Sequence, residues 1–255
     1  KTYNETVINL MNSDCSLIGL SATPGRVDSD EQSQLVEKFG NNLIELDCNG
    51  INPIVFLKNQ SILSQTELEL LEITPEIEFD RKELKYIEEN FEIPTSALQR
   101  LGKEKIRNIE NIKKLKNECE SGKKIIFFAI DLDHSKKINA ILNFIGIKST
   151  HIDGDTSNRK YILNQFKNDF IQVICNGDLL ATGFDAPKID VVFIARPVGS
   201  KGLKLQMIGR GLRGPKLGGT KKCKIIDVRD DFGSSFEAVD IYDSFADYFT
   251  NDQLS

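Results

Sequence analysis

"KKIIFFAIDLDHSKKINAIL", residues 123–142, decides the fold of this chain. Its six consecutive apolar residues, 125–130, fall far short of the roughly 18 that a membrane span needs. They suit a strand buried on both faces. Directly after them Ile138, Ile141 and Leu142 recur at helical spacing, which predicts a helix over 135–144. The alternation continues towards the C-terminus. Segments 148–152, 171–175, 191–195 and 224–228 read as strands, and 159–167 and 203–212 as helices between them. Apolar strands alternating with helices predict an α/β protein whose parallel sheet is sandwiched by helices. Ligands of such sheets gather beyond the C-terminal ends of the strands.

Towards the N-terminus the pattern is less regular. Ser29 with Gln32 three residues on resembles a capping box, opening a helix through Val36 to Phe39. Asn49-Gly50 and Asn52-Pro53 mark a turn, and the short apolar run 54–57 reads as a strand. The domain boundary falls at residue 53, giving segments 1–53 and 54–255. From Glu67 to Cys119 the chain reads as polar and helical, broken by Pro75 and Pro94. Its strongest helix spans 103–120, with Ile106, Ile109, Ile112 and Leu115 three apart and Gly122 ending it.

Composition excludes several classes. The 255 residues carry five cysteines without a CxxC and only two histidines, which argues against a zinc site and a disulfide framework. With no signal-peptide pattern and no membrane-length apolar run, the expectation is an intracellular, cytoplasmic protein with no membrane partner. The net charge of −5 conceals an asymmetry: residues 191–225 hold nine Lys or Arg and no acid, while ten acids crowd 67–92. A basic run is ordinarily a solvated surface, but one confined to a single segment suits an anionic ligand.

Within that run "QMIGRGLRGPK", 206–216, sets Arg210 and Arg213 three apart, placing them on one face of a helix or its first turn. Guanidinium groups grip phosphate oxygens in a planar fork. Gly209 and Gly211, poor helix formers, suggest close backbone packing or a ligand there. "NGDLLATGFDAP", 176–187, follows a strand and offers backbone amides and a hydroxyl to a phosphate. Two stretches mislead. In IDLDH the aspartate Asp131 is followed by Leu132 rather than a glutamate, so Asp133 or Ser135 reads as a helix cap and not as part of a metal box. Gly102-Lys103 and Gly122-Lys123 lack the following Ser or Thr and the glycine five residues earlier, so neither is a phosphate-binding P-loop. No metal ligands are expected.

Together these stretches resemble the superfamily-two helicases, the DEAD/DEAH-like ATPases built from two RecA-like lobes. SATPGR (21–26) looks like motif III, 123–142 is similar to the motif IV strand and helix, and HIDGDTSNR (151–159) matches the segment after it. NGDLLATGFDAP looks like motif V and QMIGRGLR (206–213) like motif VI. The resemblance implies that Arg210 and Arg213 reach the γ-phosphate of ATP, with Gly183, Asp185, Gln206 and Gly209 near the nucleotide. It implies that Thr182, Gly154 and Arg159 touch a nucleic-acid backbone, and that Ser21 and Thr23 couple hydrolysis to strand movement. The P-loop and the acidic box that should precede motif III are missing. The expectation is therefore that 1–53 is the tail of a first, ATP-binding lobe and 54–255 a second RecA-like lobe. ATP and Mg²⁺ would be held mainly by the missing upstream lobe, leaving the isolated chain inactive. The implied activity is an ATP-dependent helicase or translocase on single- or double-stranded nucleic acid, DNA favoured because SATPGR with QMIGRGLR looks like repair and restriction-type motors. Alternatives are the motor subunit of a type I or III restriction enzyme, and a non-catalytic nucleic-acid-binding module.

Overall fold

A computed structural model describes residues 18–19, 29–40, 42, 44, 47–90, 92–177, 188–198 and 201–232. The chain divides after Ile51 into two compact units. In the first, helix α1 (Ser29–Lys38) lies where the capping-box pattern predicts it.

The second unit is built on one six-stranded sheet, every pair parallel, in the order β1-β6-β5-β2-β4-β3. Its strands are β1 (Gln65–Ile73), β2 (Ile125–Phe128), β3 (Ser149–Ile152), β4 (Val173–Asn176), β5 (Val191–Ile194) and β6 (Lys222–Asp230). Alternate strand residues face opposite layers. Ile126, Phe128, Ile174, Val192 and Ile225 pack on helices α7 (Arg159–Lys167) and α8 (Lys201–Gly209). Ile125, Phe127, Cys175, Phe193 and Ile226 pack on α5 (Lys105–Glu120) and α6 (Leu132–Phe144). The covered parallel sheet expected from the sequence is the observed architecture.

Several local expectations differ from the structure. The run 54–57 is helix α2 (Pro53–Asn59), because Asn52 accepts from the amides of Ile54 and Val55 and Pro53 sits at the first helical position. The polar stretch after residue 65 begins with strand β1, whose alternating Glu67-Leu68-Glu69-Leu70 is a period of two. The helix expected over 103–120 is broken at Glu104. There α4 (Thr95–Lys103), which follows α3 (Arg81–Asn90), ends and α5 starts, with the Glu104 carboxylate accepting from the amides of Ile106 and Arg107.

Of the apolar residues three apart on α5, Leu115 and Ile112 pack on the core and the other two do not. Ile106 and Ile109 are exposed, while Arg107, Asn108, Asn111, Leu115 and Cys119 are buried. Finally, Asp131 rather than Asp133 or Ser135 caps α6, its carboxylate accepting from the His134 amide at 2.7 Å. No described helix is long and apolar enough to cross a membrane.

Candidate functional site

The candidate residues that the structure describes fall at two opposite ends of the sheet. Ser21, Thr23, Thr182, Gly183 and Asp185 lie outside the described residues, although 178–187 follows the C-terminal end of β4 at Gly177.

At the N-terminal edge, α8 closes at Gly209 and the chain leaves it through Arg210 and Gly211, whose amides donate to Met207 and Ile208 carbonyls at 3.2 and 2.9 Å. The arginines are therefore not on the helix, as the sequence suggested, but in the turn and the extended segment beyond it. The backbone of that segment is pinned from both sides. Leu63 and Arg213 form an antiparallel bridge, Ser64 N donates to Leu212 O, and Thr220 N donates to Arg213 O. The buried Ser64 hydroxyl lies 2.8 Å from Arg213 O and 2.7 Å from Thr220 O.

Two glycines make this fit possible. A Cβ on Gly211 would stand 2.5 Å from Cys223 Sγ and from Val192 Cγ2, and one on Gly214 2.5 Å from Ser61 O. A Cβ on Gly209 would meet nothing within 4 Å, so that position is open rather than packed. Gln206 and Gly209 are exposed, and Arg210 and Arg213 are half-buried.

The helix that delivers this segment is itself locked. Lys204, on the buried face of α8 with Met207 and Ile208, reaches Asp227 of β6, Nζ to Oδ2 2.5 Å. Burial pushes the Asp227 carboxyl up against the pull of Lys204. Lys224 pairs with Glu69 and Glu118, and Arg196 Nη1 donates to Ile130 O at 2.7 Å. The basic run 191–225 is thus partly structural, which corrects its reading as one ligand surface.

At the C-terminal edge, β3 runs into the turn Asp153-Gly154. Arg159 Nη2 donates to the carbonyls of Asp153 and Gly154 at 2.8 and 2.7 Å, clamping that turn. Gly154 is exposed. Helix α7 starts at Arg159 without a side-chain bond from its cap residue Asn158, so its first amides are not capped by that side chain.

The sequence reading passed over the groups that hold this edge together. Arg107 of α5 is wholly buried, with Nε and Nη2 donating to the two carboxylate oxygens of Asp230 at 2.6 and 2.9 Å and Nη2 to Ala195 O at 2.5 Å. His134 accepts from the Ile130 amide, and burial holds its ring down to about 3, so it is neutral. Nothing in the spacing pointed to either. Among the described residues no group of three His, Cys, Asp or Glu could hold a metal ion.

Residues 104–214 match the model of the helicase conserved C-terminal domain, a span that includes Gly154, Arg159, Gln206, Gly209, Arg210 and Arg213. The chain is 32% identical over 140 residues to a Saccharomyces cerevisiae protein provisionally named ATP-dependent helicase IRC3, covering 54% of this chain and 20% of that protein. It is 35% identical over 95 residues to a 51.5 kDa protein of a Lactococcus phage, covering 36% of this chain and 21% of that one. The chain thus matches about a fifth of the length of these relatives. Among solved structures, a fragment of a provisionally assigned HsdR subunit of a type I restriction enzyme from Vibrio vulnificus is alike over 90% of this chain and 40% of that one. Its TM-score is 0.59 at 19% identity, a likeness of fold.

Proposed function

We propose, on the premise that residues 104–214 are the conserved C-terminal domain of a superfamily-two helicase and the sheet around them its RecA-like lobe, that the protein is part of an ATP-dependent nucleic-acid motor. The observation that carries this reading is the placement of the two candidate groups. A rigidly pinned arginine segment sits at one end of the sheet, and a clamped glycine turn beside an unfilled helix start sits at the other. One lobe can then serve a nucleotide and a strand on separate surfaces.

Arg210 and Arg213 would hold the γ-phosphate oxygens of ATP bound to a neighbouring lobe and stabilise the charge that builds on them. An arginine in this role is worth about 10³- to 10⁵-fold in rate. ATP with Mg²⁺ would supply the phosphoryl group, and the metal would neutralise charge on the phosphates; a guanidinium is suited to phosphate oxygens, so Arg210 and Arg213 are the groups that would hold them. The amides around Gly154 and at the start of α7 would take a strand phosphate, with no dependence on base sequence. DNA is favoured over RNA by the pairing of SATPGR with QMIGRGLR. An intracellular, reducing setting is proposed from the widely spaced cysteines without a CxxC pattern.

The test is steady-state ATP hydrolysis, with and without single-stranded DNA, by the protein carrying this lobe together with a nucleotide-binding lobe. Arg213→Ala is expected to cut DNA-stimulated turnover at least about a hundredfold with native helix content. Turnover within a few-fold of the parent would overturn the assignment.

A further inference from the structure

Ser135 of α6, His151 of β3 and Asp153 at the end of β3 are joined in a line. Ser135 Oγ lies 2.7 Å from His151 Nδ1, and His151 Nε2 lies 3.1 Å from Asp153 Oδ2. The donor sense follows from chemistry. An ionised carboxylate only accepts, so His151 donates from Nε2 to Asp153, and Nδ1 is placed to accept from the Ser135 hydroxyl. The Thr156 hydroxyl donates to the other carboxylate oxygen of Asp153 at 2.7 Å and accepts from the Asp153 amide at 3.0 Å. These bonds, Thr156 first and His151 next, hold the Asp153 carboxyl below its usual range.

The order serine, histidine, aspartate is that of a hydrolase, but the surroundings are not. Ser135 is 0% exposed in the first turns of α6, so no substrate carbonyl can reach its oxygen. The line ends instead in the turn that Arg159 clamps through the Asp153 and Gly154 carbonyls. Its effect is twofold. It ties α6 to the end of β3, and it leaves both carboxylate oxygens of Asp153 partnered, one by Thr156 and one by His151, beside the exposed Gly154. A carboxylate released from His151 and Thr156 would be able to face outward and repel a phosphate at that turn, to which the exposed Asp155 already contributes one negative charge.

We infer that the Ser135–His151–Asp153 relay positions the turn 153–158 for a nucleic-acid phosphate, with His151 as the positioning residue. The inference rests on the nucleic-acid reading given above and names a residue that neither the motif resemblance nor the arginine clamp singles out.

The experiment measures two quantities on the whole chain: the affinity for fluorescein-labelled oligo(dT), and amide hydrogen exchange across 153–167. His151→Phe, which removes both hydrogen bonds, is expected to weaken binding five- to tenfold. It should speed exchange in 153–158 at least tenfold while the interior of α7 stays protected. His151→Gln can donate to Asp153 and accept from Ser135, and is expected to restore both quantities to within twofold. Ser135→Ala, the milder break, should move both in the same direction by two- to threefold, and it decides the matter if the phenylalanine variant does not fold. A loosened turn with unchanged affinity would overturn the positioning role, and so would equal losses in the Phe and Gln variants. Failure of the native chain to bind oligo(dT) is a different result: it removes the nucleic-acid reading itself, and the inference with it.

Discussion

Replacing Arg107 with alanine tests a fully buried charge in the second unit. The guanidinium makes two bonds to Asp230 and one to Ala195 O, and both partners of the ion pair have fully buried side chains. Removing one member of a buried pair costs about 3–5 kcal/mol, because the other is left in a low-dielectric interior. For a unit of this size each kcal/mol lowers Tm by roughly 2–4 °C, so the expected drop is about 6–20 °C. The cost should depend on pH, with a definite sign. Burial already raises the Asp230 carboxyl above its usual value, outweighing the attraction of Arg107. Without Arg107 it rises further, so the folded state holds a proton that the unfolded chain gives up. Stability is then lost as pH rises from the unfolded carboxylate range towards the folded value, and the deficit is larger at pH 7.5 than at pH 5.5. Urea and thermal melts by circular dichroism at both pH values provide the assay. Arg107→Met with Asp230→Leu serves as control, since a packed apolar pair commonly matches or exceeds a buried ion pair. A loss below about 1 kcal/mol for Arg107→Ala at pH 7.5, or a double variant as unstable as the single, would refute the reasoning.

Three other outcomes are expected. Gly211→Ala should destabilise by about 1–3 kcal/mol through overpacking against Cys223 and Val192; an unchanged melting temperature would show that the segment yields. The Glu83 carboxyl is held at about 2, chiefly by Arg100, which grips both of its oxygens. Its contribution is complete above the ordinary value of 4.5 and fades as pH falls towards 2, so Arg100→Ala should flatten the acid limb of a stability–pH curve between those values. Burial pushes the Cys119 and Cys223 thiols up to about 12 and raises Cys175 as well, so mass-spectrometric mapping should find all three unmodified by a neutral-pH thiol reagent in the native protein.

The central strands were legible because burial on both faces leaves an unmixed apolar run, as in 125–130. Edge strand β1 was not: it exposes Leu68 and Leu70, and its charged Glu67, Glu69 and Glu72 imitate a solvated helix. The burial of Arg107 on α5 was not legible because its partner is Asp230, 123 residues away, and no local period reports such a partner. Near the candidate site, the order of motifs carried the family resemblance, but spacing alone could not tell a helix face from the turn beyond it at Arg210 and Arg213. The relay through His151 was hidden for a related reason. Positions 151 and 153 share a face by strand period, while Ser135 meets them only after α6 has folded back on β3.

Strand β1 has one hydrogen-bonded neighbour in the sheet, and that neighbour is β6, paired along all nine residues from Gln65 with Lys222 to Ile73 with Asp230. Among the described strands of the unit, the first to be synthesised therefore waits for the last. Everything from β2 to β5 can assemble while the chain is still emerging, but β1 has no ladder to join until residue 230 has been made. Contacts so distant in sequence delay folding, because the loop must close before they contribute. Until then the alternating leucines and glutamates of β1 present an open edge, and the charged half of that pattern opposes pairing with another chain. The acidic character that disguised the strand in the sequence thus guards it during the interval before its partner exists.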